Sequence, residues 1–208
     1  MEIISHRGFW ENLDEKNSLK SFEKSFSENF GTETDFRDYN GKLVISHDIP
    51  DENCIDAKRF FEIYNSYNCK STLALNIKSD GLQKELQLLL KKYKIENYFV
   101  FDMSIPDTLG YIKNDIVFFS RQSEYELVPS LYESCSGIWL DSFEKIWFDK
   151  DLIENHLKNN KKVALVSPEL HKRDYKAFWD YLKISKLFEN KNLILCTDLP
   201  SDAKHFFK

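Results

Sequence analysis

Eight short apolar runs punctuate this chain at intervals wide enough to hold a helix, and that rhythm restricts the folds open to it. The runs are Glu2–His6, Thr32–Phe36, Thr72–Ile77, Tyr98–Asp102, Ile116–Ser120, Gly137–Leu140, Val163–Val166 and Leu193–Cys196. Each is rich in Val, Ile, Leu or Phe and bounded by polar or turn residues, as expected of strands buried on both faces of a parallel sheet. Between them, Ser18–Asn29, Ala57–Tyr67, Gly81–Tyr93, Asp151–Asn159 and Tyr175–Phe188 repeat their large apolar residues near helical spacing. Alternation of this kind predicts a parallel sheet with helices outside it. Eight units predict a closed (β/α)8 TIM barrel over an open doubly wound sheet. Asn40-Gly41 marks a hairpin that returns the chain from the second strand toward His47.

Bulk properties narrow the class further. The 208 residues, 42% of them hydrophobic, suit one domain spanning residues 1–208 with a full core, or else two small ones; the single domain is the expectation. The formal net charge of -5 comes from interspersed charges without a basic run, so nucleic acid is not an expected partner. No apolar stretch approaches the ~20 residues of a membrane span, and the chain opens directly into its first strand, without the look of a signal peptide. Cys54, Cys69, Cys135 and Cys196 show no paired or zinc-binding spacing and are expected to be free thiols in a cytoplasmic protein.

The chemistry concentrates in the first fifty residues. His6 ends the first apolar run, and His47 follows the run Lys42–Ser46. Two imidazoles at strand ends form a suitable acid/base pair near neutral pH. His156, His171 and His205 lie in helical or terminal segments and are expected to be structural. Glu33 and Asp35 alternate along one strand, so both face the same side. Carboxylates on an inward face call for a neutralising cation, and hard oxygen donors favour one Mg2+ or Ca2+ over zinc. Arg7 is suited to a phosphate oxygen, and Gly8 lets the backbone approach closely. Acid, base, cation and guanidinium together are the equipment for cutting a phosphodiester.

His6-Arg7-Gly8, Asn17-Ser18-Leu19 with Phe22, Gly31-x-Glu33-x-Asp35, Gly41 and His47-Asp48 resemble the glycerophosphodiester phosphodiesterase family. That family is related to phosphatidylinositol-specific phospholipase C and the sphingomyelinase D toxins. The match returns at Asn76-Ile77-Lys78 and at Thr197-Asp198-Leu199-Pro200. The resemblance implies a TIM barrel of the phosphatidylinositol-phospholipase C-like type. It implies catalysis by His6 and His47, a divalent metal at Glu33 and Asp35, and phosphate contacts from Arg7 and Lys78. The substrate class implied is a small glycerophosphodiester, cleaved to glycerol phosphate and an alcohol.

Three departures qualify that expectation. Glu15-Lys16-Asn17-Ser18 stands where the family usually has Pro-Glu-Asn-Thr. Asn76 stands where the family has a third acidic metal ligand, so its amide oxygen becomes the candidate ligand; Asp80, Asp102 and Asp141 are alternative sources of a third carboxylate. No large subdomain is inserted after His47-Asp48, which predicts an open site. Arg121, Glu169 and Trp139 are weaker candidates for reading the alcohol, while Tyr125, Trp147 and Trp179 are expected to pack. The resemblance also leaves open a phospholipase D-like lyase that releases a cyclic phosphate, and a catalytically weakened barrel that only binds its ligand.

Overall fold

A computed structural model describes all 208 residues. It is an α/β structure with ten strands and seven α-helices. Its contacts divide the chain into two compact units: Ser5–Phe118, and Met1–Ile4 with Phe119–Lys208.

In the unit Ser5–Phe118, the long strand β2 (Gly31–Tyr39) is central. It pairs in parallel with β5 (Leu73–Ile77), which pairs in parallel with β6 (Tyr98–Phe101). The last four residues of β2 turn back through Asn40 and Gly41, both with positive φ, into antiparallel β3 (Lys42–Ile45). This is the hairpin expected from Asn-Gly, whose two residues reach the left-handed region that a tight turn needs. A two-residue β4 (Ile55–Asp56) extends the hairpin.

Four helices cover this sheet: α1 (Leu19–Ser27), α2 (Ala57–Ser66), α3 (Gln83–Tyr93) and α4 (Ile105–Lys113). Ser18 caps α1 by accepting from Ser21 N, and Asp56 caps α2 by accepting from Lys58 N. Phe22 and Phe26 of α1 meet Phe60 and Phe61 of α2 and Phe36 of β2 in a net of edge-on and tilted rings. All five are buried. That aromatic layer lies on the outward side of β2 and leaves the alternate residues, Glu33 and Asp35, to point away from it.

In the other unit, β7 (Phe119–Gln122), β8 (Gly137–Leu140), β9 (Lys162–Val166) and β10 (Leu193–Thr197) run parallel, each paired with the next. Helices α5 (Lys150–Lys158), α6 (Lys176–Ile184) and α7 (Pro200–Phe206) belong to this unit, and no helix stands between β7 and β8. Strand β1 (Glu2–His6) crosses the division: its start lies with this unit and its end with the other.

The expected strands all occur, with one shifted: the run at 116–120 gives a strand only from Phe119, because Arg121 and Gln122 continue it. The expected helices also form, shorter by a turn or less at most ends and ending at Ile184 in the case of α6. Helices α4 and α7 were not expected. All four cysteines are free thiols. No helix is long and apolar enough to cross a membrane.

Candidate active site

The connection after β1 sets the site's floor. Arg7 and Asn17 have φ of 59° and 57°, and Gly8 has φ of 86°. A non-glycine residue in that region is uncommon and stands where surrounding contacts hold it. Arg7 N donates to Glu33 O at 2.9 Å, and Arg7 O accepts from Asn17 N at 2.9 Å. Gly8 N donates to Thr32 Oγ1 at 2.9 Å. A Cβ on Gly8 would meet Ser21 Oγ at 2.3 Å, so only glycine lets this connection lie so close to α1.

Glu33 and Asp35 are buried, 2% and 0% exposed, in a setting that must compensate two charges. Asn17 Nδ2 donates to Asp35 Oδ2 at 2.8 Å, and the Asn17 Oδ1 accepts from Thr34 Oγ1 at 2.8 Å. Arg7 Nε stands 2.9 Å from Asp35 Oδ2, and Lys78 Nζ 3.4 Å from Asp35 Oδ1. Both are ion-pair distances without aligned hydrogen-bond geometry, since Arg7 Nε and Asp35 Oδ1 have no hydrogen-bond partner. Asn76 is the register neighbour of Asp35 across the β2–β5 pair, and its Nδ2 donates to Glu33 Oε1 at 3.2 Å.

Three buried oxygens of this cluster are left without a hydrogen bond: Glu33 Oε2, Asp35 Oδ1 and Asn76 Oδ1. Buried polar atoms are normally satisfied, so such a trio on adjacent strands calls for a partner from outside the chain. All three are hard oxygen donors of the kind that hold Mg2+ or Ca2+. Burial first, and then the charge of Asp35, push the Glu33 carboxyl well above the usual carboxylate range. A cation at these oxygens would reverse both effects. The residues present therefore fit a divalent ion, although they form no group of three His, Cys, Asp or Glu ligands. Asn76 Oδ1 is the third oxygen of the trio, and none of Asp80, Asp102 and Asp141 joins Glu33 and Asp35 in such a group.

The two imidazoles differ in setting. His6 Nε2 lies 3.9 Å from Glu33 Oε2, and its backbone carbonyl accepts from Trp10 Nε1. His47 sits just beyond β3, its side chain 46% exposed, with Nδ1 2.9 Å from Asp48 Oδ1. A carboxylate on Nδ1 makes that nitrogen the donor and presents Nε2 as the acceptor. The His47 carbonyl accepts from Arg37 Nε and Nη2, which steadies the loop. A cleft of about 440 Å3 opens here, with Arg7, Asn17, Ser18, His47, Asp48 and Asp51 among its lining residues.

The remaining candidates have their own contacts. Within the unit that holds β7 to β10, Trp139 is buried, 4% exposed. Arg121 pairs with Glu126. Glu169 accepts from Ser167 Oγ at 2.5 Å, from Thr197 Oγ1 and from Asp198 N, which ties the ends of β9 and β10 together. Burial nevertheless raises its pKa, outweighing those bonds. His156 is structural as expected, with Nε2 on Gln122 Oε1 at 2.8 Å and Nδ1 on Tyr132 Oη at 2.9 Å. His205 Nδ1 contacts the carbonyl of Ser201. Trp179 packs against Tyr175, Phe206 and Phe207, but Tyr125 is 66% exposed and bonds Glu144, contrary to the packing expected of it. An unexpected pair is Asp141 Oδ1 with His171 Nε2 at 2.7 Å, 30 residues apart in sequence and therefore invisible as a motif.

Comparison with known proteins bears on the fold. No protein-family model matches the sequence, and no curated protein matches it. Solved structures do. One from Galdieria sulphuraria, described provisionally as a glycerophosphodiester phosphodiesterase, superposes with a TM-score of 0.78 at 18% identity, covering 99% of this chain and 97% of that one. A phosphodiesterase from Oleispira antarctica, in complex with the product sn-glycerol-3-phosphate, gives 0.71 at 15% identity, covering 99% and 96%. The glycerophosphodiester phosphodiesterase of Agrobacterium tumefaciens gives 0.70 at 13% identity, covering 99% of each chain.

The chain has the fold of these phosphodiesterases. It is a TIM barrel, as the alternation of strands and helices predicts. TIM-barrel enzymes carry their chemistry at the C-terminal ends of the strands. In this TIM barrel, His6 is the last residue of β1, Asn76 the next to last of β5, and Lys78 the first residue beyond β5.

Proposed function

We propose that this protein hydrolyses a small phosphodiester of the glycerophosphodiester class, giving glycerol phosphate or a related monoester and an alcohol. The reading treats residues 1–208 as one phosphodiesterase domain. The observation that carries it is the trio of unsatisfied buried oxygens on Glu33, Asp35 and Asn76, flanked by the Arg7 and Lys78 cations and the His6 imidazole. Support comes also from the solved phosphodiesterases of the same fold, one of which holds sn-glycerol-3-phosphate.

Roles follow from the chemistry of each group. A divalent cation, Mg2+ or Ca2+, would offset charge that develops on a nonbridging phosphate oxygen. Arg7 binds phosphate through its planar fork, and Lys78 as a point charge. His47, with Asp48 on Nδ1, presents Nε2 to take a proton from the attacking hydroxyl or water. His6, beside the carboxylate of Glu33, returns a proton to the leaving alkoxide. The cleft beside His47 receives the alcohol; its lining of Asp, Asn and Ser side chains favours a hydrophilic one.

The test is a panel of glycerophosphodiesters incubated with Mg2+, Ca2+ or a chelator and followed by phosphorus NMR. Hydrolysis to glycerol phosphate with a cation, and its loss with the chelator, is the expected result. No turnover of any diester under any condition would overturn the reading. Accumulation of a cyclic phosphate would reassign the nucleophile to a substrate hydroxyl.

A further inference from the structure

With both carboxylates ionised, as a bound cation would require, the cluster is balanced in charge. Glu33 and Asp35 supply two carboxylates, Arg7 and Lys78 two cations, and Asn76 none. A divalent ion entering alone would leave a surplus of two positive charges beside Glu33, Asp35 and Asn76, which are almost wholly buried. Lys78 Nζ also stands 3.4 Å from Asp35 Oδ1, one of the three oxygens the ion would need. Yet neither Lys78 at that oxygen nor Arg7 Nε at Asp35 Oδ2 makes an aligned hydrogen bond. Both cations are held by charge more than by directed bonds, and a phosphate group offers each a better partner.

We infer that the divalent cation and the phosphate-bearing ligand enter this site as an interdependent pair. Phosphate draws Arg7 and Lys78 from Asp35 and frees Oδ1; the cation offsets the anionic charge that phosphate brings. Each then tightens the other by the same factor, as linkage requires. Asn76 sets the size of the effect. Its Nδ2 holds Glu33 Oε1 and its Oδ1 faces no donor, so it supplies a ligand atom without supplying charge. A carboxylate at this position would hold the ion without help from phosphate. The inference rests on the phosphodiesterase reading.

The experiment is isothermal titration calorimetry of the intact protein. Mg2+ is titrated alone and with saturating sn-glycerol 3-phosphate, then sn-glycerol 3-phosphate is titrated with and without Mg2+. Mg2+ affinity should rise about tenfold or more in the ternary case, with the same factor in the reverse titration. Asn76→Asp should bind Mg2+ more tightly alone and show a smaller factor; where that variant fails to fold, the two wild-type titrations decide. Equal Mg2+ affinity with and without sn-glycerol 3-phosphate would overturn the inference and leave the cation reading standing. Absence of Mg2+ and Ca2+ binding in both conditions, with chelator-insensitive hydrolysis, would overturn the cation reading and this inference together.

Discussion

Asn17→Ala removes the side chain that positions Asp35, and its cost can be worked from the contacts. The bond from Asn17 Nδ2 to the buried Asp35 carboxylate spans 2.8 Å, and that from Thr34 Oγ1 to Asn17 Oδ1 also spans 2.8 Å. A hydrogen bond to a charged group contributes about 1.5–3 kcal/mol and a neutral one about 0.5–1.5 kcal/mol. Asn17 also sits at φ 57°, where asparagine is tolerated and alanine is strained by about 1 kcal/mol. The side chain is only part-buried, so water recovers some of the loss. A destabilisation of about 2–4 kcal/mol is expected, or roughly 5–15 °C in thermal midpoint for a chain of this size. Denaturant unfolding of wild type, Asn17→Ala and Asn17→Gly measures it. Glycine accepts the backbone conformation and should lie above alanine by about 1 kcal/mol. A loss below about 0.5 kcal/mol for Asn17→Ala would show that neither bond matters and that Asp35 is held by other groups.

Two further outcomes follow. His6→Ala and His47→Ala should each lower turnover of the diester by roughly a hundredfold or more, the lower end for acid/base catalysis, and near-normal rates in either would refute its role. His156 has its pKa lowered by burial, so the unfolded chain binds the extra proton. Stability from this residue is therefore complete above about pH 6.5 and lost as pH falls through that value. Glu169, raised by burial, has the opposite sign, and its stabilisation fades as pH rises. His156→Gln should accordingly lose less stability than wild type between about pH 7 and 5.5; equal slopes in denaturant melts would contradict the assignment.

Much of the fold was legible because buried parallel strands write themselves as continuous apolar runs. The same cue misplaces β7, where Gln122 enters a buried strand to bond His156 from α5. Helices α4 and α7 go unread in the sequence although both carry Pro at the first turn and Ser104 caps α4, because each buries only two residues, Thr108 and Tyr111 in α4 and Pro200 and Ala203 in α7, too few to mark an apolar stripe. Glu33, Asp35 and the two histidines could be read because strand alternation and strand ends fix where such side chains point. The Asn17–Asp35 bond could not, since it depends on a left-handed residue in a loop. Nor could the Asp141–His171 pair or the burial of Trp139, which depend on how distant strands register.

The central claim is that Glu33 Oε2, Asp35 Oδ1 and Asn76 Oδ1 together receive one divalent cation. Anomalous diffraction from crystals soaked with Mn2+ and sn-glycerol 3-phosphate measures this directly. The account predicts a single strong peak in contact with all three oxygens, about 2.0–2.6 Å from each. A structure with no peak there, and with those three oxygens bonded to ordered water instead, would contradict it.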